Sequence, residues 1–184
     1  MDRSSFEALA EVLRILRRLE IPHMVVGSFS CNAYTMPRAT KDADIVVELG
    51  SEDLNRITDE LSPDFFIDRQ MSFETITNSV RNILTFRPTN FDIELFRLSD
   101  DPHHQLRFER RKTETIPGAG VVADIPTAED VIIQKLRWQR DKDVSDARNV
   151  IHSQLKSLDW AYLRRWTDEH GTTELLEQLR SEAL

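Results

Sequence analysis

The chain predicts an α+β fold: a short mixed β-sheet with flanking helices, followed by a C-terminal helical bundle. Two observations carry this. Up to about Ile125, apolar residues come in short runs and alternations broken by Gly, Pro, Asn and Ser, which is the pattern of strands and turns. From Thr127 onward the composition turns helical and stays so, and strands followed by a run of helices read as α+β. The expected division is a sheet-bearing core over residues 1–125 and a helical subdomain over 126–184.

The first element is an amphipathic helix. Phe6, Leu9, Leu13, Leu16 and Leu19 recur at three- and four-residue steps, with Ser4 or Ser5 as N-cap and Glu7 close behind. Pro22 follows it, and His23 to Val26 reads as a short buried strand ending at Gly27-Ser28. Ser30 to Met36 predicts a short helix closed by Pro37. Asp42 to Leu49 alternates as a strand, with Ala43, Ile45 and Val47 on one face and Asp42, Asp44, Val46 and Glu48 on the other.

Gly50 ends that strand, and Ser51 to Leu61 predicts a helix capped by Ser51. Phe65 to Ile67 is the next strand, followed by a mixed segment through Ser79. Asn82 to Arg87 and Phe91 to Leu98 form a hairpin about Pro88-Thr89-Asn90. RFERRKTETIPGAGVVADIP predicts another hairpin, turning at Pro117-Gly118-Ala119-Gly120. Four helical segments close the chain: TAEDVIIQKLRWQRD, VSDARNVIHSQL, DWAYLRRWTDEH and TELLEQLRSEAL.

The 184 residues are 40% hydrophobic and 30% charged, enough apolar material for a real core. The net charge of −8 weighs against a general nucleic-acid-coating role, while leaving room for a local basic groove. The single cysteine, Cys31, allows no internal disulfide. No window approaches a membrane span and the N-terminus does not read as a signal peptide, so a cytoplasmic setting without membrane contact is expected.

Asp is a poor strand residue, yet Asp42 and Asp44 share one face of a strand, about 7 Å apart along it from the ~3.3 Å rise per residue. Asp92, between Phe91 and Ile93, repeats the arrangement on a later strand, and Glu94 shares its face and is open to the same role. Carboxylates that close repel unless a cation bridges them. An all-oxygen acidic set suits Mg²⁺, which keeps several waters and is commonly completed by substrate phosphates. Two such ions ~3.5–4 Å apart clamp an in-line attack at phosphorus. The Gly27-Ser28 turn adds a place for close backbone approach by a phosphate.

The ordered set VVGSFSCNAY, RATKDADIVVEL and NFDIELF resembles the signature of nucleotidyltransferases of the DNA polymerase β superfamily. IPTAEDVIIQKLRW is similar to the helix after the catalytic sheet in small bacterial members, including the AbiEii-type toxin group. The resemblance covers roughly Ile21 to Leu179. It implies metal-dependent transfer of an NMP from an NTP to a hydroxyl acceptor. It gives Gly27 and Ser28 the phosphate-cradling turn, Asp42 and Asp44 the metal, and Asp92 the third carboxylate that positions or deprotonates the attacking hydroxyl. Arg38 and Thr40 become the polar approach to Asp42, and Lys135 a contact to the triphosphate. The cofactor implied is Mg²⁺, two ions, with Mn²⁺ as a substitute. The acceptor implied is a tRNA, a protein side chain or a small molecule. The setting is bacterial defence or a toxin–antitoxin system, with a cognate antitoxin as partner. SFSCNAY departs from the second Gly or Ala-rich run that many relatives carry after the first Gly. The rival reading is a nucleotide- or RNA-binding module, or a toxin–antitoxin partner, that keeps the fold without turnover.

Other features read as structural. Arg107, Arg110, Arg111 and Lys112 form the one basic run, which could track an RNA backbone but is expected on a solvated strand or loop. His103-His104 is expected in a polar loop, with no Cys or further His nearby for zinc. Asp143 and Asp146, three apart, could face the site but are expected as capping or surface residues, and Trp138, Trp160, Trp166 and Cys31 as packing residues.

Overall fold

Alternation along the strands decides where the main core sits. In the computed structural model, which describes residues 5–74, 79–117 and 120–184, Ala43, Ile45 and Val47 pack with Leu84, Phe86, Ile93 and Leu95 on one sheet face. Helix α1 (Ser5–Arg18) joins the same cluster through Ala8, Leu9, Val12, Leu13 and Leu16. Each of the Val, Leu, Ile and Phe side chains among them, fully buried, contributes about 1.5–3 kcal/mol. Ser4, one of the two expected caps of α1, lies outside the described residues, as do Gly118 and Ala119 of the expected hairpin turn.

The sheet holds β1 (His23–Val26), β2 (Asp42–Val47), β3 (Phe65–Glu74), β4 (Ser79–Phe86) and β5 (Phe91–Arg97) in the order β1-β2-β5-β4-β3. It is mixed: β2 and β5 run parallel, and the other neighbouring pairs are antiparallel. The expected β4–β5 hairpin forms, with Asn90 at φ 51° in its turn. The later hairpin forms as well, β6 (Lys112–Ile116) against β7 (Val121–Ile125). Its Ile116, Val121, Ala123 and Ile125 bury in the main core.

Two short helices fall close to expectation with different ends. Helix α2 (Gly27–Asn32) starts three residues before the expected Ser30 and ends four before the expected Met36, because Gly27 at φ 64° turns the chain straight out of β1. Helix α3 (Asp53–Glu60) is entered through Asp53, whose carboxylate accepts from the Gly50 N–H at 2.8 Å, rather than through Ser51.

Helix α4 (Pro102–Glu109) stands where a polar loop was expected. PHHQLRFE has little amphipathic signal. Its helix is set by Pro102 in the first turn and by Asp101, whose carboxylate accepts from the His104 N–H at 3.0 Å. Packing completes it, since His103, Arg107 and Phe108 are buried.

The C-terminal helices are α5 (Ala128–Trp138), α6 (Asp141–Gln154), α7 (Trp160–Glu169) and α8 (Thr173–Glu182). They build a second apolar cluster from Ile132, Ile133, Leu136, Val150, Ile151, Leu163, Leu176 and Leu179, which Cys31 joins. Thr127 caps α5 by accepting from the Asp130 N–H, and Gln139 leaves it in the left-handed conformation at φ 54°. No helix among the described residues is long and apolar enough to cross a membrane.

Candidate active site

The sheet register decides which acidic side chains meet. Asp42 stands opposite Asp92 and Asp44 opposite Glu94, on parallel neighbours β2 and β5. Paired residues share a face and adjacent strands lie ~4.8 Å apart, so four carboxylates gather on the sheet face opposite the main core. On the other side of β2, Val26 stands opposite Asp44, which brings the Gly27 turn against the same carboxylate.

A cleft of about 260 Å³ opens over this face. Val26, Val46, Phe96 and Leu98 give it an apolar wall, shared with Met24 and Phe108 beneath. Gly27, Ser28, Asp42, Asp44, Glu94 and Lys135 line it. Asp92, Arg38 and Thr40 do not.

Asp92 is half-buried and spoken for, because it accepts from the Thr85 hydroxyl at 2.6 Å across the β4–β5 ladder. Glu94, one pair further along, is the β5 carboxylate that faces the cleft beside Asp44. Arg81 Nη1 donates to it at 2.5 Å. Thr40 holds the entry to β2, its hydroxyl 3.0 Å from Asp42 Oδ1 and 3.1 Å from the Asp42 carbonyl.

Burial first, and then the Asp42 charge, push the Asp44 carboxyl up to about 6. Burial first, and then Asp44, push Glu94 up to about 7 against the pull of Arg81. Crowded carboxylates that resist ionisation are what a divalent cation would relieve. The donors are all carboxylate oxygens, so the residues suit a hard cation such as Mg²⁺ rather than a soft-ligand metal. Among the described residues no three His, Cys, Asp or Glu side chains stand gathered at ion-binding distance. Glu94 would have to leave Arg81 to join the two aspartates.

Lys135 reaches the cleft wall, but its ammonium is taken. It bonds Asp143 at 2.8 Å and Asp146 at 2.9 Å, and all three side chains are buried. Burial works against its charge, but Cys31 and then those carboxylate bonds outweigh burial and hold its pKa above the ordinary lysine value. Asp143 and Asp146 are therefore an internal ionic cluster and not the capping or surface residues expected. Arg140 also pairs with Asp143, and Arg38 Nη2 bonds both Asp146 oxygens at 3.1 Å. The same Arg38 nitrogen donates to Ser28 Oγ at 3.1 Å. This chain of ion pairs ties α5 and α6 to the Gly27-Ser28 turn. Trp138, Arg140 and Lys142 extend the cleft wall from α5 and α6. Arg81 and Lys142 were not legible as site residues, because each reaches the site from an element whose placement depends on packing.

The basic run breaks up on folding. Arg107 lines the cleft, Arg110 lies over the Tyr162 ring at 4.1 Å, and Arg111 lies over Phe108 at 4.2 Å.

No family model matches the sequence, and no curated protein matches it. Solved structures do match. An antigenic nucleotidyltransferase-like protein from Paracoccidioides brasiliensis superposes with a TM-score of 0.59 at 16% identity, over 98% of this chain and 94% of that one. The fold is that of nucleotidyltransferase-like proteins. The antibiotic-resistance factor ANT(2'')-Ia, in complex with adenylyl-2''-tobramycin, gives 0.59 at 9% identity, over 94% of this chain and 99% of that one. Its solution structure gives 0.51 at 13% identity over 99% and 92%. At such identities the likeness is one of fold. Within a nucleotidyltransferase-like fold, the acidic face of β2 and β5 and the glycine turn after β1 form one continuous cleft surface in this chain.

Proposed function

We propose that this chain transfers a nucleotidyl group from an NTP to a hydroxyl acceptor, the acceptor oxygen bonding the α-phosphorus as its bond to the bridging oxygen breaks and pyrophosphate leaves, with Asp42, Asp44 and Glu94 holding Mg²⁺. The observation that carries the reading is the register: Asp44 is flanked by Glu94 on β5 and by the Gly27 turn after β1, in one cleft.

Bound there, Mg²⁺ or Mn²⁺ would supply positive charge to the triphosphate and to the attacking oxygen. The chain's own groups do the rest. Gly27 brings backbone close to the carboxylates, and Ser28, braced by Arg38, lines the phosphate end. Lys142 adds a cation on the α6 side that acts on Asp44 from a distance. Lys135 positions α6 and through it Lys142. Thr40 fixes Asp42, and Thr85 fixes Asp92 beside it. Asp92 is thereby a positioning neighbour, and Glu94 takes the third carboxylate's place. The Phe96 and Val46 wall offers an apolar surface for the base or the acceptor.

The setting that accompanies this reading is bacterial defence or a toxin–antitoxin pair of the AbiEii type, in the cytoplasm. The acceptor is a tRNA, a protein or a small molecule. One observation favours a second reading, nucleotide binding without turnover: Glu94 is paired to Arg81 instead of converging on the aspartates. Incubation with Mg²⁺ and α-phosphate-labelled NTPs in lysate separates the two. A transferase labels an acceptor and Asp42→Ala with Asp44→Ala does not. A binder is stabilised by NTP with Mg²⁺ and labels nothing.

A further inference from the structure

Four polar side chains meet at the end of the cleft away from Gly27. From Glu94 to Leu98 the β5 chain advances about 13 Å, at ~3.3 Å per residue, still bonded to β2 through the Leu98 N–H and the Val47 carbonyl. Beyond it lie Ser99, His104 and Arg107, with Gln134 packed against them from α5.

Arg107 is 5% exposed and fully charged at neutral pH, its pKa lowered by burial only to about 10. Its Nη1 donates to the neutral Gln134 Oε1 at 3.1 Å, and its Nε is buried without a partner. Among the described residues no carboxylate stands within ion-pair distance of it. Asp130 and Asp101 act only from farther away. Both are otherwise engaged, Asp130 by His103, Arg110, Thr127 and Tyr162, and Asp101 by Arg137.

His104 does not supply the missing charge. Burial first, and then Arg107, drive its pKa down to about 3, so it is neutral. Its Nε2 donates to Gln134 Oε1 at 3.0 Å, which leaves Nδ1 to accept from the Ser99 hydroxyl at 2.6 Å. Arg97 lines the same end, and its guanidinium makes one hydrogen bond among the described residues, to the Leu49 carbonyl at 3.4 Å. A buried cation without a counter-ion is costly, and it marks a place for an anion.

We infer that this end of the cleft binds a phosphate group of the acceptor. The inference rests on the nucleotidyl-transfer reading and narrows its acceptor to a phosphate-bearing molecule whose hydroxyl reaches the carboxylates at the other end of the cleft. Two cations, Arg97 and Arg107, match a phosphate ester better than a singly charged carboxylate. A polycationic aminoglycoside such as tobramycin meets repulsion here.

The test is thermal melting of the full chain in inorganic phosphate, acetate or chloride at matched ionic strength, with and without Mg²⁺ and a non-hydrolysable ATP analogue. Phosphate raises the melting temperature of the wild type and acetate does not. Arg107→Met weakens phosphate binding roughly tenfold or more, and Arg107→Lys keeps part of it. The phosphate shift persists on top of saturating nucleotide, since the two occupy different ends of the cleft. That arm uses wild type alone and decides the matter even where Arg107→Met does not fold. No phosphate shift, an equal shift in Arg107→Met, an equal shift with acetate, or loss of the phosphate shift when nucleotide is bound each overturns the inference. Nucleotide without effect on wild type while phosphate still acts overturns the nucleotidyl reading instead.

Discussion

Gly27 and Asp44 are packed so closely that the glycine has no room for a side chain. A Cβ built on Gly27 would stand 2.9 Å from Asp44 Cγ and nearer still to Oδ2. The backbone there is at φ 64°, a left-handed conformation that favours glycine. The contact joins the turn after β1 to the acidic face of β2, and both halves of the candidate site depend on it.

Gly27→Ala therefore carries two penalties. The left-handed backbone costs about 1–2 kcal/mol for a residue with a Cβ, and displacement of Asp44 adds to it. Gly171→Ala is the control, because Gly171 has φ 66° with open space around its Cβ position. Denaturant unfolding should show Gly171→Ala losing about 1 kcal/mol and Gly27→Ala roughly 2–4 kcal/mol. Equal losses would mean that the contact with Asp44 gives way freely.

Asp44 makes stability depend on pH in a stated direction. Its folded pKa, about 6, lies above the unfolded value near 3.9, so between the two the folded state binds more protons. By linkage its contribution falls as pH rises through that window and is constant above it. Asp44→Asn removes the effect. Without divalent ions the variant should be more stable than wild type by roughly 1–3 kcal/mol at pH 7.5, with little difference near pH 4. A difference that does not vary between these two pH values refutes the account.

Glu94 and Asp92 are separable by single substitutions. Glu94→Gln should reduce labelling of an acceptor by more than the ~10–100-fold typical of an outer-shell partner, and Asp92→Asn should stay within that range. Reversal of the order would return the third carboxylate to Asp92.

Lys135→Met tests a structural role. It leaves Asp143 and Asp146 buried with less of their compensating charge, which costs about 3–5 kcal/mol for a broken buried pair. The melting temperature should fall accordingly. A variant that melts like wild type and loses only nucleotide affinity would show that the ammonium serves the triphosphate and not the helices.

What could be read from the chain was local in origin. Alternation in DADIVVEL and FDIELF, and the three- and four-residue spacing of Leu9, Leu13 and Leu16, mark β2, β5 and α1, because one face of each must be buried. The Asp42–Asp44 pair was legible for the same reason, since period two puts both on one face. Helix α4 was not legible, because PHHQLRFE has no apolar stripe and is held by a cap and by burial of His103 and Arg107.

Tertiary structure alone decided the partners. Asp92 and Glu94 have the same parity, so only the β2–β5 register and the Thr85 hydroxyl distinguish the one engaged within the sheet from the one facing the cleft. Asp143 and Asp146 look like surface positions until the packing of α6 on α5 brings them to Lys135. Arg107 belongs to a basic run in sequence, and burial against Gln134 makes it an isolated cation. The physical reason is common to all three. Periodicity specifies the face a side chain takes, while charge partners are chosen across elements, by register and burial that no local pattern encodes.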